Sequence, residues 1–406
     1  MTARIIIPFL ILIFFTSLLP QNNFTLRQSR LEYKASLENK IDSALTQFLE
    51  SGESKDLDEA FWGAGLLLRK SDDLHSTLTT LFSEKILPEA ELRSALECAF
   101  TVYPSEFTEL LSKKIHKVSH PKIFSMMAVY LSKNGVHLGE MLEITENYIN
   151  RTDSEDHPII QGLLLYLKKE SPLSQTDVSI LLNHSYQQNI IFSLQYKNRN
   201  KPGFVLIKKN GTGFLRDSSG KTTLIPQMAR ALSNMPGFLT NGNTPQGIFT
   251  ILGIDTSENV FIGNTPNLQL ALPFEVAPEV YFRTSSEKVT VMESDRYLSI
   301  LPEKLRVKNA FLEAFIAGKA GRNEIIAHGT ATDINYYKNE VYFPYTPTLG
   351  CLCMREEWSE DTGALVYSDQ QKFMKLITEN LITDGYFIVA EIDDDVSADV
   401  IQKILK

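Results

Sequence analysis

The stretch Asn183-His184-Ser185-Tyr186-Gln187-Gln188-Asn189-Ile190-Ile191-Phe192-Ser193-Leu194-Gln195 is where the chain changes its texture. Upstream of it, from Leu26 to His184, apolar residues recur at helical spacing between short polar breaks. Phe61, Ala64 and Leu68 form one such stripe, and Leu78, Leu81 and Phe82 form the next. Downstream, the apolar segments shorten to strand-like runs at 190–195, 204–207, 248–252, 260–262, 280–283, 324–327 and 387–391. Clusters such as Lys209-Asn210-Gly211 and Asn241-Gly242-Asn243 separate them as turns. One helix is expected in this second half, over 369–379, where Phe373, Leu376 and Ile377 share a face before Asp384 and Gly385. The expected class is therefore α+β: an all-α module over 25–186, a β-rich domain over 187–392 and a helical tail over 393–406.

Within the first half, segments starting near Glu59, Leu92, Pro121 and Pro158 each read as a helix, a break and a second helix. Their loose spacing, roughly thirty residues or a little more, falls in the range of helical-hairpin repeats. A short α-solenoid and a plain irregular bundle both fit, because no residue signature recurs at fixed positions. Such arrays offer faces to protein partners, though no residue here names the partner.

At 406 residues the chain calls for at least two cores. Its apolar share of 43%, its charged share of 22% and its net charge of −9 describe a water-borne protein with no concentrated basic surface for nucleic acid. The first 24 residues differ. Arg4 precedes an apolar run from Ile5 to Phe15, followed by Thr16-Ser17-Leu18-Leu19-Pro20 and the polar Gln21-Asn22-Asn23. That run has the length of a signal-peptide core and is short for a membrane span. The segment reads as a signal peptide or as an N-terminal membrane anchor through residues 5–19, since no A-x-A cleavage site is visible. Export to the periplasm or cell envelope follows; a buried core helix is the bland alternative.

Gly220-Lys221-Thr222 resembles the end of a phosphate-binding loop, but the first glycine of that motif would fall on Leu215. Asp217-Ser218-Ser219-Gly220 is read instead as a hairpin turn. Three cysteines, Cys98, Cys351 and Cys353, cannot build a disulfide framework. No metal and no cofactor is expected.

After His184 the only histidine is His328, at the end of the run 324–327, and the same half holds Cys351 and Cys353. A cysteine needs a base or a positive field nearby to become a thiolate near neutral pH, and His328 is the imidazole available. A satisfied structural histidine and two small buried thiols are the competing interpretation. Gly350, directly before Cys351, permits a tight turn that can aim backbone N–H groups at the oxygen of an attacked carbonyl.

With these residues in view, the second half resembles the L,D-transpeptidase catalytic domain of the YkuD type, over roughly residues 187–392. That family carries a histidine and, later, [ST]-H-G-C continuing as [IV]-R-M. His328-Gly329-Thr330 matches the first element, and Thr348-Leu349-Gly350-Cys351-Leu352-Cys353-Met354 matches the second with two substitutions. Thr244-Pro245-Gln246-Gly247-Ile248-Phe249 resembles the T-P-x-G-x-F that precedes them. The departures are Leu349, in place of a histidine, and Cys353, in place of an arginine, with Arg355 two positions later.

The resemblance implies acyl transfer on peptidoglycan stem peptides, with Cys351 as nucleophile and His328 as base. The carbonyl of Gly329 would orient the imidazole, with Glu324 as the alternative. Backbone N–H groups at Gly350 and Cys351 would face the oxyanion, and Thr348, Arg355 and Tyr337 would help bind substrate or shape the loop. An amine acceptor gives a crosslink and water gives an L,D-carboxypeptidase; an inactive fold that binds peptidoglycan or a partner is the non-enzymatic alternative. Tyr336, Tyr337, Tyr342, Phe343 and Tyr345 fit either a lid or core packing, and a Cys351–Cys353 disulfide would block the nucleophile reversibly.

Overall fold

The computed structural model describes residues 23–83, 88–168, 170–284 and 289–406. The apolar run at 5–19, with the signal or anchor expected there, lies outside them. Among the described residues no helix is long and apolar enough to cross a membrane.

The first part is helical throughout: α1 (Arg27–Ser51), α2 (Leu57–Leu66), α3 (Asp72–Ser83), α4 (Glu89–Val102), α5 (Thr108–Lys114), α6 (Pro121–Lys133), α7 (Leu138–Thr152), α8 (Pro158–Lys168) and α9 (Gln175–Asn183). The ends follow local chemistry. α1 stops at Gly52, whose φ of 74° suits a residue without Cβ, and α6 starts on a proline at its first turn. Ser174 and Asp177 close a capping box on α9. α2, α4, α6 and α8 pack each against the next, and α3 packs on α5. Phe61, Leu78, Leu96, Phe124, Met127 and Leu163 fill the core between them.

The second part is built on a sheet in the order β3-β2-β1-β11-β5-β6-β7-β8, with β4 also on β2. The strands are β1 (Ile190–Tyr196), β2 (Gly203–Lys209), β3 (Gly213–Phe214), β4 (Ile225–Gln227), β5 (Gly247–Asp255), β6 (Asn267–Ala271), β7 (Ile326–His328) and β8 (Leu352–Cys353). β9 (Glu356–Trp358) and β10 (Leu365–Ser368) form a separate ribbon, and β11 (Tyr386–Ile392) returns to the centre, parallel to β1. β1 is buried along its whole length because both faces are covered, which is why its sequence is nearly continuous apolar. Ile190, Phe192 and Leu194 face one core, shared with α9 and with α14 (Ala398–Ile404). Ile191 faces the other, shared with Phe373 and Ile377 of α13 (Asp369–Glu379).

Three local differences from the sequence expectation have physical causes. Residues 260–262 form a turn, with Ile262 N–H donating to the Asn259 carbonyl. Residues 280 and 281 end a short helix, α10 (Pro278–Tyr281), and 282 and 283 form the turn after it, because Pro278 at the first turn presets a helical φ. α9 precedes the change in texture at 186, yet Val178, Leu181 and Leu182 pack in the sheet's core and not in the helical one.

The two parts share packing. Met235, Phe238, Leu239 and Ile316, the last in α12 (Leu312–Lys319), belong to the helical core. A Cβ on Gly162 of α8 would stand 2.6 Å from the Phe238 ring, so glycine is what lets that helix lie on the 235–245 loop.

Candidate active site

β7 and β8 are parallel neighbours, with Ala327 opposite Leu352 and His328 opposite Cys353. Cys351 lies just before β8, in the turn after Gly350, and its sulfur lies beside the β7 backbone, near the Glu324 carbonyl and the Ile326 amide.

The imidazole is buried, and its Nδ1 lies 2.5 Å from the carbonyl oxygen of Gly329. A carbonyl only accepts, so Nδ1 carries the proton and Nε2 is left as the acceptor. Burial holds the ring at a pKa of about 4, with the Gly329 contact opposing that shift, and it is neutral at pH 7. The side chain of Glu324 does not hold the ring. Its carbonyl instead accepts from Cys351 Sγ at 3.5 Å, and no hydrogen bond joins that sulfur to His328 among the described residues. Burial raises the thiol's pKa, while the Ile326 backbone and the Arg322 guanidinium favour the thiolate.

Arg322 is a participant that no local motif announces. It is buried, and its guanidinium donates to the carbonyls of Leu239 at 3.1 Å, Asn243 at 2.8 Å and Gly242 at 2.7 Å, as well as to that of Gly237. It pins the 237–243 loop beneath the turn that carries Gly350 and Cys351. Gly350 crosses directly over it with φ of 125°, where a Cβ would collide with Arg322 Nη2 and stand 2.7 Å from the Gly242 carbonyl. Glycine is required there on both counts. Thr244, from the upstream T-P-x-G-x-F segment, donates its buried hydroxyl to the Gly350 carbonyl at 2.8 Å, so the two motifs meet in space.

Thr348 shapes the turn from the other side. Its hydroxyl accepts from Gly350 N–H and donates to the Cys351 carbonyl, both at 2.9 Å. That corrects one expectation: the Gly350 N–H is engaged inside the turn and is not free for an oxyanion. The Cys351 N–H has no partner among the described residues and is the remaining backbone donor.

Two further residues stand elsewhere than expected. Tyr337 has no exposed surface; it packs with Met228, Leu232 and Tyr342, so it cannot touch a bound peptide. Apolar packing on both sides of that ring, not a lid, accounts for it. Arg355 pairs with Glu357 and lies over the Tyr367 ring, 5.0 Å from its centroid, so its charge is already committed. Cys353 is buried, with Sγ 3.5 Å from the Thr346 hydroxyl and a pKa raised by burial to about 12. All three cysteines are free thiols. Leu349 is exposed and lines a cleft of about 190 Å³ together with Phe61, Trp62, Arg93 and Glu97 of the helical module. Among the described residues no cluster of three or more histidine, cysteine or acidic side chains could hold a metal.

No protein-family model, no curated protein and no solved structure matches this chain.

Proposed function

We propose that the chain is an exported cysteine acyltransferase of the L,D-transpeptidase type, acting on peptidoglycan stem peptides through Cys351 and His328. The observation that supports this reading is that β7, which ends on His328, runs parallel beside the short strand that directly follows Cys351, with the imidazole tautomer fixed by Gly329 so that Nε2 can accept a proton. The reading requires that the Cys351 side chain rotate away from the Glu324 carbonyl so that Sγ reaches that nitrogen. In the reaction Nε2 takes the thiol proton and Sγ attacks the carbonyl after the L-centre of the donor. The carbonyl oxygen becomes an oxyanion facing the Cys351 N–H. The C–N bond to the terminal D-alanine breaks, the imidazolium protonates the departing amine, and a thioester remains. An amine of a second stem then attacks it, the C–S bond breaks, and the proton from that amine returns through His328 to the thiolate.

The test is incubation of the protein with purified muropeptides. Crosslinked dimers support transfer to an amine, shortened monomers support hydrolysis, and intact substrate with no covalent adduct on Cys351 refutes both. A non-catalytic binding protein is the second reading, favoured by the Cys351 hydrogen bond to Glu324 and by Leu349 in place of a polar residue. It requires that Cys351→Ala leave biological activity intact.

A further inference from the structure

Behind His328 the structure holds a carboxyl group that the reaction outlined above does not use. Glu356 opens β9, immediately after the Cys351 strand, and its side chain is buried. Its Oε1 accepts from the hydroxyls of Thr265 at 2.6 Å and Ser368 at 2.7 Å. Its Oε2 is sealed from solvent and forms no hydrogen bond of good geometry. The whole carboxyl lies against Gly329: a Cβ on that glycine would overlap Oε2 and Cδ, and would stand 2.7 Å from Oε1. The Thr330 N–H faces the same group and favours its charged form.

These contacts meet on one peptide unit. The Gly329 carbonyl and the Thr330 N–H belong to the same planar amide, and they point in opposite directions. One end receives the His328 Nδ1–H and the other faces Glu356. A carboxylate at the N–H end increases the negative charge on the carbonyl oxygen, which strengthens the hydrogen bond from the imidazole and favours the imidazolium. Trp358 Nε1 donates to the Thr330 carbonyl at 2.7 Å and fixes the next peptide, so the amide is held from both sides.

We propose that Glu356 is a positioning residue for His328 that acts through the Gly329–Thr330 peptide, completing a thiol–imidazole–peptide–carboxylate series. The inference rests on the acyl-transfer reading for its purpose, but its geometry stands apart from that reading. The groups facing Glu356 are the Thr265 and Ser368 hydroxyls, the Thr330 amide and the Cys353 thiol; no cation is paired with it among the described residues. His328 faces the Gly329 carbonyl and, by register, Cys353. Arg355 and Glu357, which flank Glu356 in the chain, pair with each other.

The experiment follows the His328 Nδ1–H proton by NMR across the neutral range in the full chain. In the wild type this resonance should shift with pH through the ionisation of Glu356, with an inflection near neutrality. Glu356→Gln should remove the inflection while the resonance itself persists. Thr265→Val, which deletes one donor to the carboxylate and leaves His328 untouched, should move the inflection upward and serves if the first variant fails to fold. A wild-type resonance flat between about pH 6 and 8, an inflection retained in Glu356→Gln, or one unmoved in Thr265→Val would overturn the proposal. Muropeptide turnover by the wild type decides the acyl-transfer reading separately, since the resonance reports the coupling whether or not a peptide is processed.

Discussion

Replacing Gly350 by alanine tests how the nucleophile turn is held. The residue has φ of 125°, a conformation that costs a side-chain-bearing residue on the order of 1–3 kcal/mol. The new methyl would also occupy the space of Arg322 Nη2, so either the guanidinium leaves the Gly242 carbonyl or the turn lifts away from it. A hydrogen bond from a charged group is worth about 1.5–3 kcal/mol, and the sum is roughly 3–6 kcal/mol. For a domain of this size that predicts a melting temperature lowered by roughly 6–24 °C. If the turn relaxes instead, the lost stability is smaller but Cys351 moves, and a displacement of about 1 Å costs on the order of a hundredfold in turnover. Gly211→Ala is the control, because Gly211 also has positive φ, 72°, but nothing lies within 4 Å of its Cβ position. Thermal melting and muropeptide turnover, measured on both variants, give the answer. A Gly350→Ala protein that melts within about 2 °C of wild type and keeps turnover within about threefold would refute the account of the turn.

Thr244→Val removes the buried hydroxyl that holds the Gly350 carbonyl and should cost about 1–3 kcal/mol in chemical denaturation, with reduced turnover. Arg322→Lys keeps the charge but not the fork that reaches four carbonyls, so alkylation of Cys351 by iodoacetamide should slow and melting should fall; unchanged values would remove Arg322 from the site. Cys353→Ala should leave turnover nearly unchanged, because that thiol is buried, whereas Cys351→Ala should abolish it; the reverse result would exchange their roles. Burial and its hydroxyl partners set the Glu356 pKa at about 7 against an ordinary 4.5, so the unfolded chain ionises first and the carboxyl destabilises the fold progressively as pH rises from 4.5 to 7. Glu356→Gln should therefore raise stability above neutrality by up to roughly 3 kcal/mol and lose that advantage at the acid end, as read by urea unfolding at several pH values.

The division into a helical part and a sheet-containing part was legible because each carries its own apolar period, 3.6 residues before the change of texture and short runs after it. The run at 280–283 misled for a definite reason: four residues cannot display a period, and Pro278 decided the backbone instead. α9 shows another limit. Its pattern is helical like that of its predecessors, and only the tertiary packing of Val178 and Leu182 assigns it to the sheet's core. At the candidate site, His328 and Cys351 stood out because few residues of their type occur in that half, and Gly350 because its position before the cysteine had a backbone reason. Arg322 and Glu356 were not legible. Each acts on backbone groups far away in the chain or across a strand, and neither lies at a spacing that a sequence displays. Tyr337 illustrates the opposite error, since an aromatic residue near a reactive pair reads as a contact surface until its complete burial is known.

The electrostatics of the pair follow from what those two residues add. Burial raises the Cys351 thiol and lowers the His328 imidazole, so both shifts favour the uncharged pair at rest. A dyad left with those shifts alone would be a poor nucleophile. Arg322 opposes the first shift: its hydrogen bonds go to carbonyls and not to a carboxylate, which leaves its charge free to favour the thiolate above it. On the proposal above, Glu356 opposes the second through the Gly329–Thr330 peptide, again without a cationic partner among the described residues. A cation beneath the sulfur and a carboxyl behind the imidazole both favour movement of the proton from Sγ to Nε2. In the proposed dyad the two groups would lie at opposite ends, each stabilising the member of the ion pair that burial penalises. Removing either should slow formation of the thiolate, and removing both should cost more than either alone.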